Sequence, residues 1–368
     1  MHIEGSQELV RHVQQAGLCI GCGACVNICP YFLYHNGQTR QIFTCDIKRG
    51  RCHAHCPKIE VDLDEISRRL RGVAYKGYDL GEYRSIMMGR VGTQMPQGQF
   101  QGGGATSALI AFALTSGIID AAILTDREGI WPLPRTVTNV QDVIRCAGSK
   151  FTASPTLTAF NHAVRHGYQR LGVVGTPCQI TALAQIRGNP LETDDFVDPV
   201  ALSVGLFCNW ALDPRLLIEF LSDRLDIFSV KSMDIPPPPE DVLIVRLEES
   251  TLEIPLKEVR PLIPTTCFIC PDLTSEWADL SIGMFEGQAG WNTLVVRSKA
   301  GEDIVQDAES AGYLEIKPMP HKDLSHLSAA GRAKKERAFR TASRKNVINC
   351  DNGCAALRVP SEVIERLL

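Results

Sequence analysis

Apolar and polar positions along the 368-residue chain follow two periodicities. Helical spacing marks VDLDEISRRLRG (61–72), with apolar positions at Val61, Leu63, Ile66 and Leu70. Residues 1–17 predict a short amphipathic helix, and ATSALIAFALTSG (105–117) predicts another. SPTLTAFNHAVRHG (154–167) is a helix entered through Ser154 and Pro155. DPRLLIEFLSDRL (213–225) predicts a helix with Asp213 as N-cap and Pro214 in the first turn. Short apolar runs predict strands: IIDAAILT, RLGVVGTP, VALSVGLFCN, DVLIVRLEE, TLEIPL, WADLSIG and WNTLVVRS. Residues 73–92 read as a Gly- and Tyr-containing connector, and Pro236–Pro239 as a boundary or semi-rigid spacer. Helices and strands therefore alternate in a mixed α/β (α+β) region that begins near Met95, behind an N-terminal segment of a different kind.

Composition narrows the function classes. The length suits two or three domains, and 44% hydrophobic residues suffice for packed cores. A net charge of -4 argues against general nucleic-acid binding, which needs a basic excess. Mean hydropathy near zero with 22% charged residues excludes a wholly disordered chain and a polytopic membrane protein. The best membrane-span candidate, Ala105–Thr125, is interrupted by Gly117 and Asp120, so a soluble helix followed by a buried strand is expected instead. The N-terminus carries no apolar signal core, which places the chain in a reducing cytoplasm. There, clustered cysteines are metal ligands more often than disulfides.

Fourteen cysteines are present, seven of them before residue 60. Cys19-x2-Cys22-x2-Cys25-x3-Cys29-Pro30 has the spacing of a bacterial ferredoxin. Three thiolates on one tight loop reach three irons of a cubane, and Gly21 and Gly23 let the backbone curl around it. The fourth cysteine of such a run serves another cluster. The matching ligand comes from a second Cys-Pro, Cys56-Pro57, so Cys19, Cys22, Cys25 and Cys56 are assigned to one [4Fe-4S] cluster. A zinc knuckle is the competing reading, but zinc sites use separated CxxC pairs. Cys29, Cys45 and Cys52 remain for a further cluster, either [3Fe-4S] or a [4Fe-4S] completed by another group, because Arg49 stands where a thiolate is needed. His53 and His55 lie nearby and read as surface histidines. Arg40, Lys48, Arg49 and Arg51 either offset cluster charge or are simply solvated.

Four later cysteines follow apolar runs. Cys178 lies in GTPCQ, Cys208 in FCN, and Cys267 and Cys270 in CFICPD. Spacing alone leaves open whether they converge on one site or are inert core residues. In order and spacing, the strings GGGATSALIAFAL, AGSKFTASPTLTAF, LGVVGTPCQITAL, GLFCNW, CFICPDLTSEWADLSIG and GWNTLVVRS resemble the coenzyme F420 hydrogenase/dehydrogenase beta-subunit family over roughly residues 18–318. The resemblance implies an iron–sulfur flavoprotein oxidoreductase in which Cys178, Cys208, Cys267 and Cys270 hold a [4Fe-4S] cluster beside FAD. Cys146, Cys350 and Cys354 match no motif, and the Cys350-x3-Cys354 spacing reads as accidental.

The same stretches imply the flavin site. Gly102, Gly103 and Gly104 precede Thr106 and a helix, whose N-terminal amides favour a pyrophosphate. Ser149 and Lys150 offer a hydroxyl and a cation, Thr176 opens the TPCQ turn, and Asn292 beside Trp291 lines the ring pocket or the core. The resemblance implies hydride exchange between a deazaflavin, coenzyme F420, and FAD, then single-electron transfer through the clusters to partner subunits of hydrogenase, formate dehydrogenase or heterodisulfide reductase type. No catalytic side chain is assigned. Alternatives are a reductase using NAD(P)H or ferredoxin, and an electron-transfer adaptor without enzymatic activity. The expected organisation is a ferredoxin-like module at 1–72, a FAD-binding α/β region at 73–235, a completing region at 236–330, and a basic helix and tail at 331–368. Segment 331–345 carries seven basic residues and one acidic, and reads as a solvated helix rather than a dock for an acidic partner.

Overall fold

The computed structural model describes residues 2–96, 98, 100–188, 191, 196–237, 239–351 and 353–368. Pro238, within the proline tract, lies outside the described residues. The chain opens with α1 (Ser6–Leu9), which continues as a wider turn through Gln14. A hairpin follows, β1 (Phe32–His35) paired antiparallel with β2 (Gln38–Gln41). Next come α2 (Arg51–Ala54), β3 (Val61–Asp62) and α3 (Leu63–Arg71). Asp62 caps α3 by accepting from the Asp64 and Glu65 amides at 3.0 Å, and Gly72 ends it at φ 74°.

The core elements are β4 (Ser85–Val91), α4 (Ala105–Thr115), β5 (Ala121–Glu128), β6 (Trp131–Val137), α5 (Val140–Arg145), α6 (Thr156–Arg165), β7 (Leu171–Gly175), α7 (Pro177–Arg187), β8 (Val200–Leu206) and α8 (Pro214–Ser222). A small antiparallel sheet has the order β11–β10–β9, from β9 (Ser232–Asp234), β10 (Val242–Arg246) and β11 (Thr251–Pro255). After a short helix, α9 (Leu256–Val259), β12 (Leu280–Met284), β13 (Asn292–Val296), α10 (Lys299–Ser310) and β14 (Leu314–Pro318) complete the main sheet. The chain ends with α11 (His321–Arg344), β15 (Leu357–Arg358) and α12 (Ser361–Leu367).

The main sheet has eight strands in the order β14–β4–β13–β12–β8–β7–β5–β6. Strands β5, β7, β8 and β12 run parallel, and β13, β4 and β14 add antiparallel neighbours on one side. The pleat divides the core. Ala121 and Ile123 face one cluster, with Leu157 and Phe160 of α6 and Ile180 and Leu183 of α7. Ala122 and Leu124 face the other, with Leu109 of α4 and Ile304 and Val305 of α10. Helix α4 is apolar on nearly all sides because it is buried on nearly all sides, from Ala108 through Ala113. Among the described residues no helix is long and apolar enough to cross a membrane.

Two expectations are corrected. The connector at 73–92 contains β4, a strand inside the main sheet. Its SIMMGRV sequence is half-buried rather than continuously apolar, and so lacks the signature of a buried strand. Helix α7 begins within TPCQ, at Pro177, with Thr176 as its N-cap. Helix α11 is a solvated basic face only in part: Arg332, Arg337, Arg340 and Arg344 are exposed, but Lys334 and Lys335 are 2% and 0% exposed. The N-terminal segment is also bound to the rest of the chain. Strand β3 pairs with β15, Glu60 holds Arg358, and the Leu157 amide donates to the Cys22 carbonyl at 3.0 Å.

Candidate functional site

Cys19, Cys22, Cys25 and Cys56 line one cavity of about 350 Å³, walled by Leu9, Val13 and Ile20. Its loop turns at Gly21 and Gly23, with φ of 67° and 84°. A Cβ on Gly23 would lie 2.8 Å from the Pro155 carbonyl, so the loop can lie against α6 only with glycine there. The Asn161 amide of α6 fixes the loop by donating to the carbonyls of Val26 at 2.7 Å and Ala24 at 3.1 Å. Burial holds the Cys22 and Cys25 thiols well above their ordinary pKa and pushes Cys56 up to about 12. Cys19 accepts from the Thr39 amide at 3.5 Å. Four thiols lining one cavity are the donor set that would hold a [4Fe-4S] cluster.

Cys29 and Cys45 are the thiols whose charge acts on Cys52, which burial pushes up to about 11. Cys52 also acts on Cys25 and Cys56, so this second set of thiols lies beside the first. The His53 backbone N–H faces the Cys52 sulfur. His53 and His55 are not surface residues: both are buried, and desolvation lowers each pKa to about 4. The His53 ring lies beneath Glu4, 3.9 Å from its carboxylate.

The third group gathers at the carboxyl ends of parallel strands. Cys178 starts α7 after β7, and Cys208 follows β8, while Cys267 and Cys270 come from the loop before β12. The Cys208 amide donates to the Leu273 carbonyl at 2.9 Å and Cys267 Sγ lies 3.9 Å from the Ala211 carbonyl, so the loop of Cys267 and Cys270 packs against the turn that carries Cys208. Burial raises the Cys267 pKa to about 11. Cys178 and Cys270 open on a cavity of about 470 Å³. Two buried lysines border this group: the Lys334 ammonium donates to the Cys208 carbonyl, and that of Lys58 to the Thr266 carbonyl at 3.1 Å. Sequence reasoning missed both, and missed Asn161, because only distant segments brought together reveal them. Cys146 lies at the end of α5, apart from the three groups, and Cys350 faces Cys354 near the C-terminus.

The residues read as flavin ligands lie along the same sheet edge. Strand β13 is antiparallel to both β4 and β12, so the end of β4, the start of β13 and the ends of β7, β8 and β12 share it. In open α/β sheets this edge is where ligands bind. Asn292 is spent on holding the glycine turn: its Oδ1 accepts from the Ala105 amide and its Nδ2 donates to the Gly283 carbonyl, both at 3.1 Å. A Cβ on Gly103 would lie 2.8 Å from Asn292 Oδ1 and from the Gly89 carbonyl. Gly102 is exposed at the turn, and Gly104 at φ 71° precedes α4, in whose first turn Thr106 is half-buried. Gln101 joins this turn to Ser149, whose amide donates to its Oε1 at 2.6 Å, and to Asp234.

From Ser149 the chain runs through Ser154 toward α7, where Gln179 donates to the Ser154 carbonyl at 2.8 Å. The Thr176 hydroxyl lies 3.3 Å from Cys178 Sγ. Lys150 does not point its charge at the turn. Its ammonium donates to the carbonyls of Cys146, Gly148 and Ala147 at 2.6, 2.7 and 3.3 Å, and burial lowers its pKa to about 8. Trp291 is core, 1% exposed, with Arg90 and Lys317 over its ring at 4.6 and 4.5 Å.

Comparison with known proteins gives the same picture at the level of family. Residues 86–161 and 168–322 match the N-terminal and C-terminal family models of the coenzyme F420 hydrogenase/dehydrogenase beta subunit, and residues 13–32 match a 4Fe-4S binding domain. The coenzyme F420 hydrogenase subunit beta of Methanothermobacter thermautotrophicus is 30% identical, over 73% of this chain and 97% of the relative. The coenzyme F420-dependent sulfite reductase of Methanocaldococcus jannaschii is 30% identical over 82% of this chain, which spans 47% of that longer protein. A chain of the F420-reducing [NiFe] hydrogenase complex from Methanosarcina barkeri superposes with a TM-score of 0.66 at 27% identity, covering 77% of this chain and 98% of that one. Sharing their fold, their sequence pattern and a 4Fe-4S binding motif, the chain belongs to the coenzyme F420 hydrogenase/dehydrogenase beta-subunit family of oxidoreductase subunits.

Proposed function

We propose that the protein is the flavin- and cluster-bearing subunit through which reduced coenzyme F420 exchanges electrons with the redox partner of a larger complex. Cys178, Cys208, Cys267 and Cys270 hold a [4Fe-4S] cluster, as do Cys19, Cys22, Cys25 and Cys56. Cys29, Cys45 and Cys52 hold a third cluster. FAD lies along the sheet edge between the Gly102–Gly104 turn and Thr176. When bound, the flavin supplies the exchange between two-electron hydride chemistry and single electrons, and the clusters supply the one-electron route. The chain's own residues bind, orient and shield. Asn292 fixes the glycine turn, Thr176 faces the Cys178 sulfur, and buried thiols keep water from the cages.

The observation that carries this reading is that three distant segments bearing Cys178, Cys208, and Cys267 with Cys270 pack together beside the sheet edge with the glycine turn. Anaerobic rapid mixing with reduced coenzyme F420 and, separately, with NADH tests it. The expected result is fast bleaching of flavin absorbance with reduced F420 and none with NADH. Fast reduction by NADH alone, or purified protein without flavin, overturns it.

A further inference from the structure

The N-terminal and middle cavities share a wall. Pro57 and Lys58 line both of them. Lys58 follows Cys56 by two residues and is 5% exposed. Its Nζ donates at 3.1 Å to the carbonyl of Thr266, the residue before Cys267. It lies with Cys19, Cys22, Cys25 and Cys56 on the first cavity and with Cys178 and Cys270 on the second, so it faces both. Asp272 and Glu276 also line the middle cavity, but each is engaged: Asp272 accepts the amides of Thr274 and Glu276, and Glu276 pairs with Lys335. Lys334, by contrast, borders only the middle group, at Cys208.

We infer that Lys58 is a positioning residue for electron transfer, a fixed cation in the wall between two thiol cages that raises the reduction potential of both clusters together. The inference rests on the cluster reading of the two cages. Each cluster gains one electron on reduction, and a buried positive charge beside it favours that gain. At an effective dielectric of about 20, a unit charge several ångströms away changes a one-electron equilibrium about tenfold or more. One cation shared by both cages moves the two potentials in the same direction, which keeps the electron step between them close to level. Its three-donor ammonium is held by a backbone carbonyl rather than by a carboxylate, so its charge is not cancelled locally.

The test is a redox titration of the anaerobic full-length protein followed by electron paramagnetic resonance, comparing wild type with Lys58→Met, Lys58→Arg and Lys334→Met. The expected result is that Lys58→Met lowers the reduction equilibrium of both clusters about tenfold, which is ~59 mV for one electron. Lys58→Arg stays near wild type, and Lys334→Met lowers only the middle cluster. The inference is overturned if Lys58→Met shifts neither cluster or only one, or if Lys58→Arg shifts them as far as Lys58→Met. Where Lys58→Met loses one cluster, the other still reports: a lowered potential supports the inference and an unchanged one overturns it. Loss of both clusters in Lys58→Met with full loading in Lys58→Arg supports a need for charge, whereas loss in both variants overturns it. A wild-type protein with no clusters contradicts the proposed function, while wild-type clusters indifferent to Lys58 contradict only this inference.

Discussion

Replacing Lys335 by Met tests how α11 is held to the site. The Lys335 ammonium meets the Glu276 carboxylate with both side chains out of water, at 0% and 3% exposure. Burial works against the lysine charge, but the carboxylate beside it more than offsets this and holds its pKa above the ordinary value. Removing the cation leaves Glu276, whose pKa burial already holds above the ordinary carboxylate value, without its partner in the wall of the cavity on which Cys178 and Cys270 open. Breaking such a pair from one side costs about 3–5 kcal/mol, whereas replacing both members with neutral groups of similar volume costs little. Lys335→Met is therefore expected to lower the urea midpoint by on the order of 1 M, given slopes of a few kcal/mol per molar. Glu276→Gln/Lys335→Met should recover most of that loss, a double-mutant cycle with a large coupling term. The assay is urea unfolding of the anaerobic holoprotein followed by circular dichroism. An unchanged midpoint in the single variant, or a double variant as unstable as the single, would refute the reasoning.

Other expectations concern the cofactor residues. Cys178→Ala should remove about four irons per chain and Cys146→Ala none, by metal analysis; equal iron in the two would separate Cys178 from any cage. Asn292→Leu strips partners from the Ala105 amide and the Gly283 carbonyl, at about 1–3 kcal/mol for each buried group left unpaired. Flavin content should then fall by more than half while iron is retained, and a wild-type flavin-to-iron ratio would count against the turn as a flavin site. Lys150 has a folded pKa of about 8 against an ordinary 10.5, so between these values the unfolded chain binds more protons and stability rises with pH. Lys150→Met should flatten that rise in urea midpoints measured from pH 7.5 to 10, and an equally steep rise in the variant would refute it.

Legibility in the sequence followed how local each signal was. Helix α8, with an apolar stripe and the Asp213 cap, was readable because both signals lie within one segment, whereas α6 shows the stripe alone, its N-cap being Pro155 with no side-chain cap. Strands buried on both faces, such as β7 and β8, announced themselves as continuous apolar runs. Strand β6 did not: Pro132 and Pro134 argue against a strand, yet β6 is at the edge of the sheet, where a missing donor costs no ladder bond. Strand β4 was hidden by its mixed burial.

The N-terminal cysteine run was legible because ligand spacing is a local constraint of cubane geometry. That the segments bearing Cys178, Cys208, Cys267 and Cys270 pack together was not readable from spacing, since it depends on which strand ends become neighbours. Lys334 and Lys335 show the limit most plainly. A run of seven cations reads as a wet surface, and only the contacts with Cys208 and Glu276 reveal that two of them are internal.

The most direct measurement of the central claim is the iron, sulfide and flavin content of the anaerobically reconstituted protein, taken together with paramagnetic resonance of its reduced state. The three clusters and the flavin proposed here predict about eleven or twelve irons and one FAD per chain. They also predict at least two cluster signals that broaden each other through the shared Pro57–Lys58 wall. Four irons or fewer, or a full iron complement with no flavin, would contradict the account.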